Sequence, residues 1–144
     1  MRTLCALAAV LLAASPVRAD EKTVGTVIVN LGLMPAAQAM QVDGHREAHS
    51  HEFTSKTGSQ HLLIVVADKQ SGKRLGDARV VVEVIDPKGN HEKKALARTQ
   101  AAGQPDYSEV FEFGWSGSYD VRVSVVPTPG AKPVNTRFTV HHVL

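Results

Sequence analysis

Short valine-rich segments, each bounded by turn-forming residues, follow one another along most of the chain. We predict strands over residues 23–31, 60–67, 78–85, 91–98, 107–113, 118–126 and 134–141. Apolar and polar residues alternate in the last two segments, as expected of strands with one buried face. About seven antiparallel strands separated by turns indicate an all-β protein with an immunoglobulin-like β-sandwich.

The connections between these segments contain residues that interrupt regular structure. Asp-Pro-Lys-Gly-Asn at residues 86–90 predicts a tight turn, because proline presets the first corner and glycine accepts positive φ. Three prolines place residues 127–133 in a loop. Residues 32–59 lack a strand pattern, although 35–40 and 45–51 are each compatible with a helical turn. A connection that long inside a compact domain is usually functional or disordered.

The first nineteen residues have the features of a cleaved signal peptide. Arg2 precedes an uncharged apolar run over residues 4–14, and Val-Arg-Ala at 17–19 fits a signal-peptidase site. The run is too short for a membrane-spanning helix. We therefore predict cleavage after Ala19, a single domain over residues 20–144, and a periplasmic protein without a membrane span, with secretion as the other possibility.

Charge and cysteine content exclude several functions for that exported domain. Without Arg2 and Arg18, its basic residues equal its 14 acidic ones, so no basic surface for nucleic acid or anionic membranes is expected. The only cysteine, Cys5, lies inside the signal peptide. Thiol catalysis, disulfides and cysteine-based metal sites are therefore excluded. Because no nucleophile elbow, His-Glu-x-x-His motif or phosphate-binding loop is present, we predict that the protein is not an enzyme.

Thioether and imidazole side chains are concentrated between residues 34 and 61. This is the side-chain set that suits copper, and imidazole alone also suits zinc. A copper site is therefore our first hypothesis and a zinc site our second. The candidate ligands, of which three or four would suffice, are Met34, Met40, His45, His49, His51 and His61.

Spacing allows two arrangements within this segment. A helical turn would bring His45 and His49 to one side, whereas an extended chain would do the same for His49 and His51. The alternative is a solvated loop whose histidines bind nothing, with Met34 and Met40 plugging the end of the sandwich. Two hypotheses follow: a periplasmic metal-binding protein for copper handling, delivery or resistance, and a metal-free interaction module that binds a periplasmic protein partner through the edge strand at 91–98.

Two stretches of the chain resemble a known group of domains. Residues 61–82 contain His-Leu-Leu-Ile-Val-Val-Ala-Asp, then Ser-Gly-Lys, then Asp-Ala-Arg-Val-Val-Val, and residues 114–123 place glycine before Tyr-x-Val-x-Val. Both are similar to bacterial periplasmic immunoglobulin-like domains of the FixH and YtkA type. This resemblance implies a sandwich fold and a periplasmic location, and such relatives often serve copper handling or oxidase assembly.

Four aromatic or imidazole residues outside that segment also have predicted roles. We expect Trp115 to cap the core and Tyr119 to act as a tyrosine corner, hydrogen-bonded to nearby main chain. His141 and His142 are adjacent, so a strand would turn them to opposite faces and prevent joint chelation.

Overall fold

Nine strands form two antiparallel sheets in the computed structural model, which describes residues 18–42 and 58–144. The strands are β1 (Arg18–Val24), β2 (Val27–Pro35), β3 (Ser59–Asp68), β4 (Arg79–Ile85), β5 (His91–Ala95), β6 (Ala97–Ala101), β7 (Gln104–Glu112), β8 (Gly117–Val126) and β9 (Val134–His142). The five-stranded sheet has the order β1-β2-β3-β7-β6, and the four-stranded sheet has the order β5-β4-β8-β9. The predicted all-β sandwich is confirmed.

One core lies between the two sheets and follows the alternation seen in the sequence. Leu62, Ile64 and Val66 of β3 are buried in it, as are Val121 and Val123 of β8. The residues between them in sequence face outward. The two sheets therefore pack through the apolar face of each, which is the arrangement that the valine-rich pattern predicts.

Several boundaries differ from those predicted: the predicted strand over 23–31 contains the turn between β1 and β2, β2 continues to Pro35, and β7 begins at Gln104. The chain gains an additional strand, β1, which pairs with β2 through a turn at Gly25 (φ 58°). Its Asp-Glu-Lys sequence is polar because β1 is the edge of its sheet. The predicted strand over 91–98 divides at Leu96, whose buried position and N–H bond to the Val80 carbonyl (2.9 Å) mark the crossing from one sheet to the other.

The helix α1 (Ala36–Val42) follows β2 directly. Ala36 and Ala39 are buried, and the helix packs against β2 and β3. Residues 35–40 were expected to allow one turn, and the helix extends that turn to Val42. No helix in residues 18–42 or 58–144 has the length and apolar character needed to cross a membrane. Of the predicted signal peptide, only Arg18 and Ala19 fall within the described residues, at the start of β1.

Lysine side chains close both lateral seams between the sheets. Lys22 of β1 donates a hydrogen bond to the main-chain carbonyl of Arg137 in β9. Lys94 of β5 does the same for the carbonyl of Val110 in β7. Each ammonium also lies near a phenylalanine ring of the strand that it reaches, 5.4 and 5.0 Å from the ring centroids. Both seams are thus joined by a contact that crosses from one sheet to the other.

Several strands begin or end at one end of the sandwich, here called the helix end. There β2 ends at Pro35 and passes into α1, β3 begins at Ser59, and β7 ends at Glu112. In the other sheet, β8 begins at Gly117 and β9 ends at His142. The described elements on either side of the predicted metal-binding segment, α1 and the start of β3, thus lie at this end.

Candidate metal centre

Met34 and His61 are the two predicted ligands whose side chains the structure describes. They lie directly opposite each other in the pairing of β2 with β3, at the helix end. Opposed residues in an antiparallel pair have Cβ atoms about 4.5–5.5 Å apart. Met40 lies in α1, but its side chain is outside the described part, as are His45, His49 and His51 altogether.

The Met34 and His61 side chains share the outward face of the five-stranded sheet. Leu62 of β3 belongs to the core and Leu33 of β2 packs against it, so the residues next to them point away from it. Both side chains are half-buried. A thioether and an imidazole therefore lie side by side on adjacent strands of the sheet.

A carboxylate lies on the same face, one strand further along. Glu112 of β7 is directly opposite Ser59 of β3, whose hydroxyl donates to its Oε1 at 2.9 Å. His61 pairs with the next outward residue, Val110, so Glu112 is its diagonal neighbour. Sequence reasoning could not relate Glu112 to His61, because that relation depends on the register of β3 with β7.

The described residues do not form a metal site of histidine, cysteine and carboxylate ligands alone. Among residues 18–42 and 58–144, no three histidine, cysteine, aspartate or glutamate side chains are arranged to hold a metal ion. A site at this pair would combine the methionine sulfur with imidazole and carboxylate donors. Such a mixed donor set favours copper over zinc, because thioether sulfur is a soft ligand that selects Cu(I).

The two terminal histidines lie on opposite faces of β9, as their adjacency predicts. Nδ1 of His141 is 2.8 Å from the Ser118 hydroxyl on the outward face. The His142 ring lies between the sheets and makes edge contacts with Phe113 and Tyr119, at centroid distances of 5.5 and 6.2 Å. Its Nε2 is buried without a hydrogen-bond partner among the described residues, and burial lowers the pKa of its imidazole. His142 thus belongs to the end of the core and not to the Met34–His61 pair.

The expectation that Trp115 caps the core is wrong. Its side chain is 46% exposed, and the Lys88 ammonium lies 3.0 Å from the ring centroid. Phe113 and Tyr119 fill the end of the core instead, with ring centroids 4.3 Å apart. The Tyr119 hydroxyl donates to the Trp115 carbonyl (2.9 Å) and accepts from its N–H (3.0 Å), as a tyrosine corner would.

No protein-family model and no curated protein matches the chain. Solved structures do match it. A copper-bound variant of FetP from uropathogenic Escherichia coli strain F11 superimposes with a TM-score of 0.68 at 12% identity, over 86% of this chain and 94% of FetP. Copper-reconstituted P19 from Campylobacter jejuni gives 0.66 at 11% identity, over 86% and 93%.

A third structure, a DUF4426 family protein from Pseudomonas aeruginosa PAO1, gives a TM-score of 0.64 at 12% identity, over 85% of this chain and 96% of its own. At such identities the likeness shows the fold, which is a sandwich that these three proteins share with this chain. The FixH and YtkA resemblance is not confirmed.

Proposed function

We propose that this chain is an exported β-sandwich protein that binds copper for handling, delivery or resistance. The observation that carries the proposal is the Met34–His61 pair, a soft sulfur and an imidazole nitrogen held opposite each other at the helix end. Its support from outside the chain is that FetP and P19, whose fold it shares, have been solved with copper bound.

Two ligands do not complete a copper site, and the remaining ones are assigned from the sequence. His45, His49 and His51 belong to the stretch that joins α1 to β3, so both neighbours of that stretch lie at the helix end with Met34 and His61. Met40 lies on α1 itself. These four residues stay predictions. Copper stays our first choice and zinc the second, because a site that includes Met34 uses a donor that zinc seldom takes.

Calorimetric titration of the exported protein with Cu(I) under reductant, with Cu(II) and with zinc tests the proposal. We expect tight binding of one copper ion and weak binding of zinc. Two variants divide the ligand pool: one replaces Met34 and His61 by leucine and glutamine, the other replaces His45, His49 and His51 by alanine. His91→Ala, a histidine exposed on the other sheet, is the control.

The outcomes separate the possibilities. Loss of copper binding in both ligand variants, with His91→Ala unchanged, supports one site built from the sheet and the segment together. Loss in the triple variant alone would place the metal away from Met34 and His61. Weak binding that is equal in all proteins would overturn the metal-binding proposal.

The proposal also includes export to the periplasm and the prediction that the protein is not an enzyme. The signal-like residues 1–19 carry the periplasmic assignment, and the mass of the protein recovered from a periplasmic fraction tests it. We expect a chain that begins at Asp20. An uncleaved chain found only in the cytoplasm would contradict the assignment.

Binding of a protein partner is the second candidate function, and exposed Trp115 favours it. Besides that indole, the large hydrophobic residues exposed in the described part are Val143 and Leu144. The Leu144 N–H bonds the Ser116 hydroxyl at 3.0 Å, which ties the last residue to the Trp115 loop. Exposed aromatic and aliphatic side chains that lie close together are typical of an interaction site. Crosslinking in the periplasm through Trp115 replaced by a photoreactive residue would test it.

A further inference from the structure

Three strands of the five-stranded sheet each contribute one metal-binding type of side chain to the same face at the helix end. Met34 lies on β2, His61 opposite it on β3, and Glu112 on β7 diagonal to His61. Diagonal neighbours on one face of a sheet are about 7–8 Å apart at Cα, within reach of a long side chain. Sulfur, nitrogen and oxygen donors thus form a row across β2, β3 and β7.

The Glu112 carboxylate is available for a cation, unlike that of Glu92. It is exposed, and the neutral hydroxyl of Ser59 donates a hydrogen bond to it at 2.9 Å. In the described part of the chain it takes part in no ion pair. Glu92, by contrast, pairs with Lys94 at 2.7 Å, and one of its oxygens accepts the Glu112 main-chain N–H. Ser59 therefore orients Glu112 without neutralising its charge.

We propose that Glu112 is a ligand of the copper site and that it acts mainly on Cu(II). This inference rests on the proposed copper-binding function. A carboxylate is a hard, negatively charged donor that offsets the additional charge of the divalent ion, whereas the Met34 thioether favours Cu(I). The row from β2 to β7 therefore provides a ligand for each oxidation state, with His61 between them as a ligand that serves both.

Glu112→Gln tests this assignment, because the amide keeps the size of the side chain and can still accept the Ser59 hydrogen bond. Glu109→Gln is the matched control, since Glu109 lies on the same strand but opposite Leu62, on the core side. Affinities for Cu(I) and Cu(II) are measured by competition with chelators of known strength. Electron paramagnetic resonance of the Cu(II) form reports a change of donor set through the g and copper hyperfine values.

We expect Glu112→Gln to weaken Cu(II) binding about tenfold or more and to change the Cu(II) spectrum, with Cu(I) affinity changed less than about twofold. Ser59→Ala should weaken Cu(II) binding less than Glu112→Gln does, because it removes only the hydroxyl that orients the carboxylate. Glu112→Asp is the second variant. It keeps the charge and should retain more Cu(II) affinity than glutamine does.

The result identifies which statement fails. If the unmodified protein binds neither oxidation state, the copper-binding function and the Glu112 assignment both fall. If it binds copper but Glu112→Gln leaves the Cu(II) affinity and spectrum unchanged, the assignment alone is overturned. Equal losses for Cu(I) and Cu(II) would also overturn the preference for Cu(II).

Discussion

The outward faces of the two sheets differ in how their charged groups are used. On the four-stranded sheet, Asp120 bonds Arg122 at 3.0 Å and also pairs with Arg137, while Glu83 pairs with Arg122 at 3.5 Å and bonds His91 at 3.1 Å. Each carboxylate there already has a cationic or imidazole partner. A metal ion would have to displace these partners before it could bind.

The outward face of the five-stranded sheet is largely apolar near its helix end. Leu63 and Val110 lie there with Met34 and His61, and Glu112 stands at the edge of this group without an ion pair in the described residues. The difference teaches that a count of carboxylates does not identify a metal site. What matters is whether the donor atoms are already neutralised by partners that belong to the fold.

Replacing Met34 and His61 together should change copper affinity more than any other variant considered for the two faces. We expect at least about a hundredfold loss of copper affinity, because loss of outer partners alone costs ten- to a hundredfold and these residues would be direct ligands. Replacing Arg122 by glutamine on the other sheet should leave copper affinity unchanged. Chelator competition on both variants measures the contrast, and a similar loss in both would remove the distinction between the two faces.

Asp120→Asn should break the network on the four-stranded sheet at a cost of about 1 kcal/mol in the free energy of unfolding. The carboxylate joins two exposed arginines, and exposed ion pairs contribute little each. Urea unfolding at low and high salt measures the loss, which should shrink as salt screens the pairs. A loss of several kcal/mol that is independent of salt would show that Asp120 has a structural role beyond these pairs.

Gly32→Ala should stabilise the five-stranded sheet slightly, by about 0.4–1 kcal/mol, because alanine restricts the unfolded chain. A Cβ at this position would meet Leu63 at 3.6 Å, which is ordinary contact. Gly117→Ala is the opposing control, since its φ of 144° disfavours other residues and a Cβ would lie 2.8 Å from Pro87. Thermal unfolding of both variants should show a rise for the first and a fall for the second.

The smallest expected effect is the contribution of His142 to the loss of folding stability in acid. Burial depresses the pKa of its imidazole in the folded protein below the ordinary 6.5, so the unfolded chain binds the proton more readily. Stability should therefore decline as pH falls through 6.5 and level off below the folded pKa. His142→Phe, which keeps an aromatic ring against Phe113 and Tyr119, should remove this contribution. Unfolding midpoints between pH 7.5 and 5 that decline identically in both proteins would contradict it.

Alternation along single strands was sufficient to predict the core and the sandwich. It could not predict that Leu96 leads the chain from one sheet to the other, since that depends on which strand offers the Val80 carbonyl. Nor could it place Met34 opposite His61, or Glu112 diagonal to His61, because those positions are set by the register between distant strands. Trp115 was misplaced for a related reason: Phe113 and Tyr119 occupy the space in the core that the sequence alone left open.

The Lys22 contact joins the first described strand to the last one. Since β1 rests against β9, the seam between them cannot close until nearly the whole chain is present. A chain is made by the ribosome, and crosses a membrane, from its first residue onward. Until its last strand arrives, the five-stranded sheet would therefore stay open along this side. Completion of the fold is then timed by the arrival of residues 134–142, and a chain shortened by that one strand should lose the whole sandwich instead of a peripheral part of it.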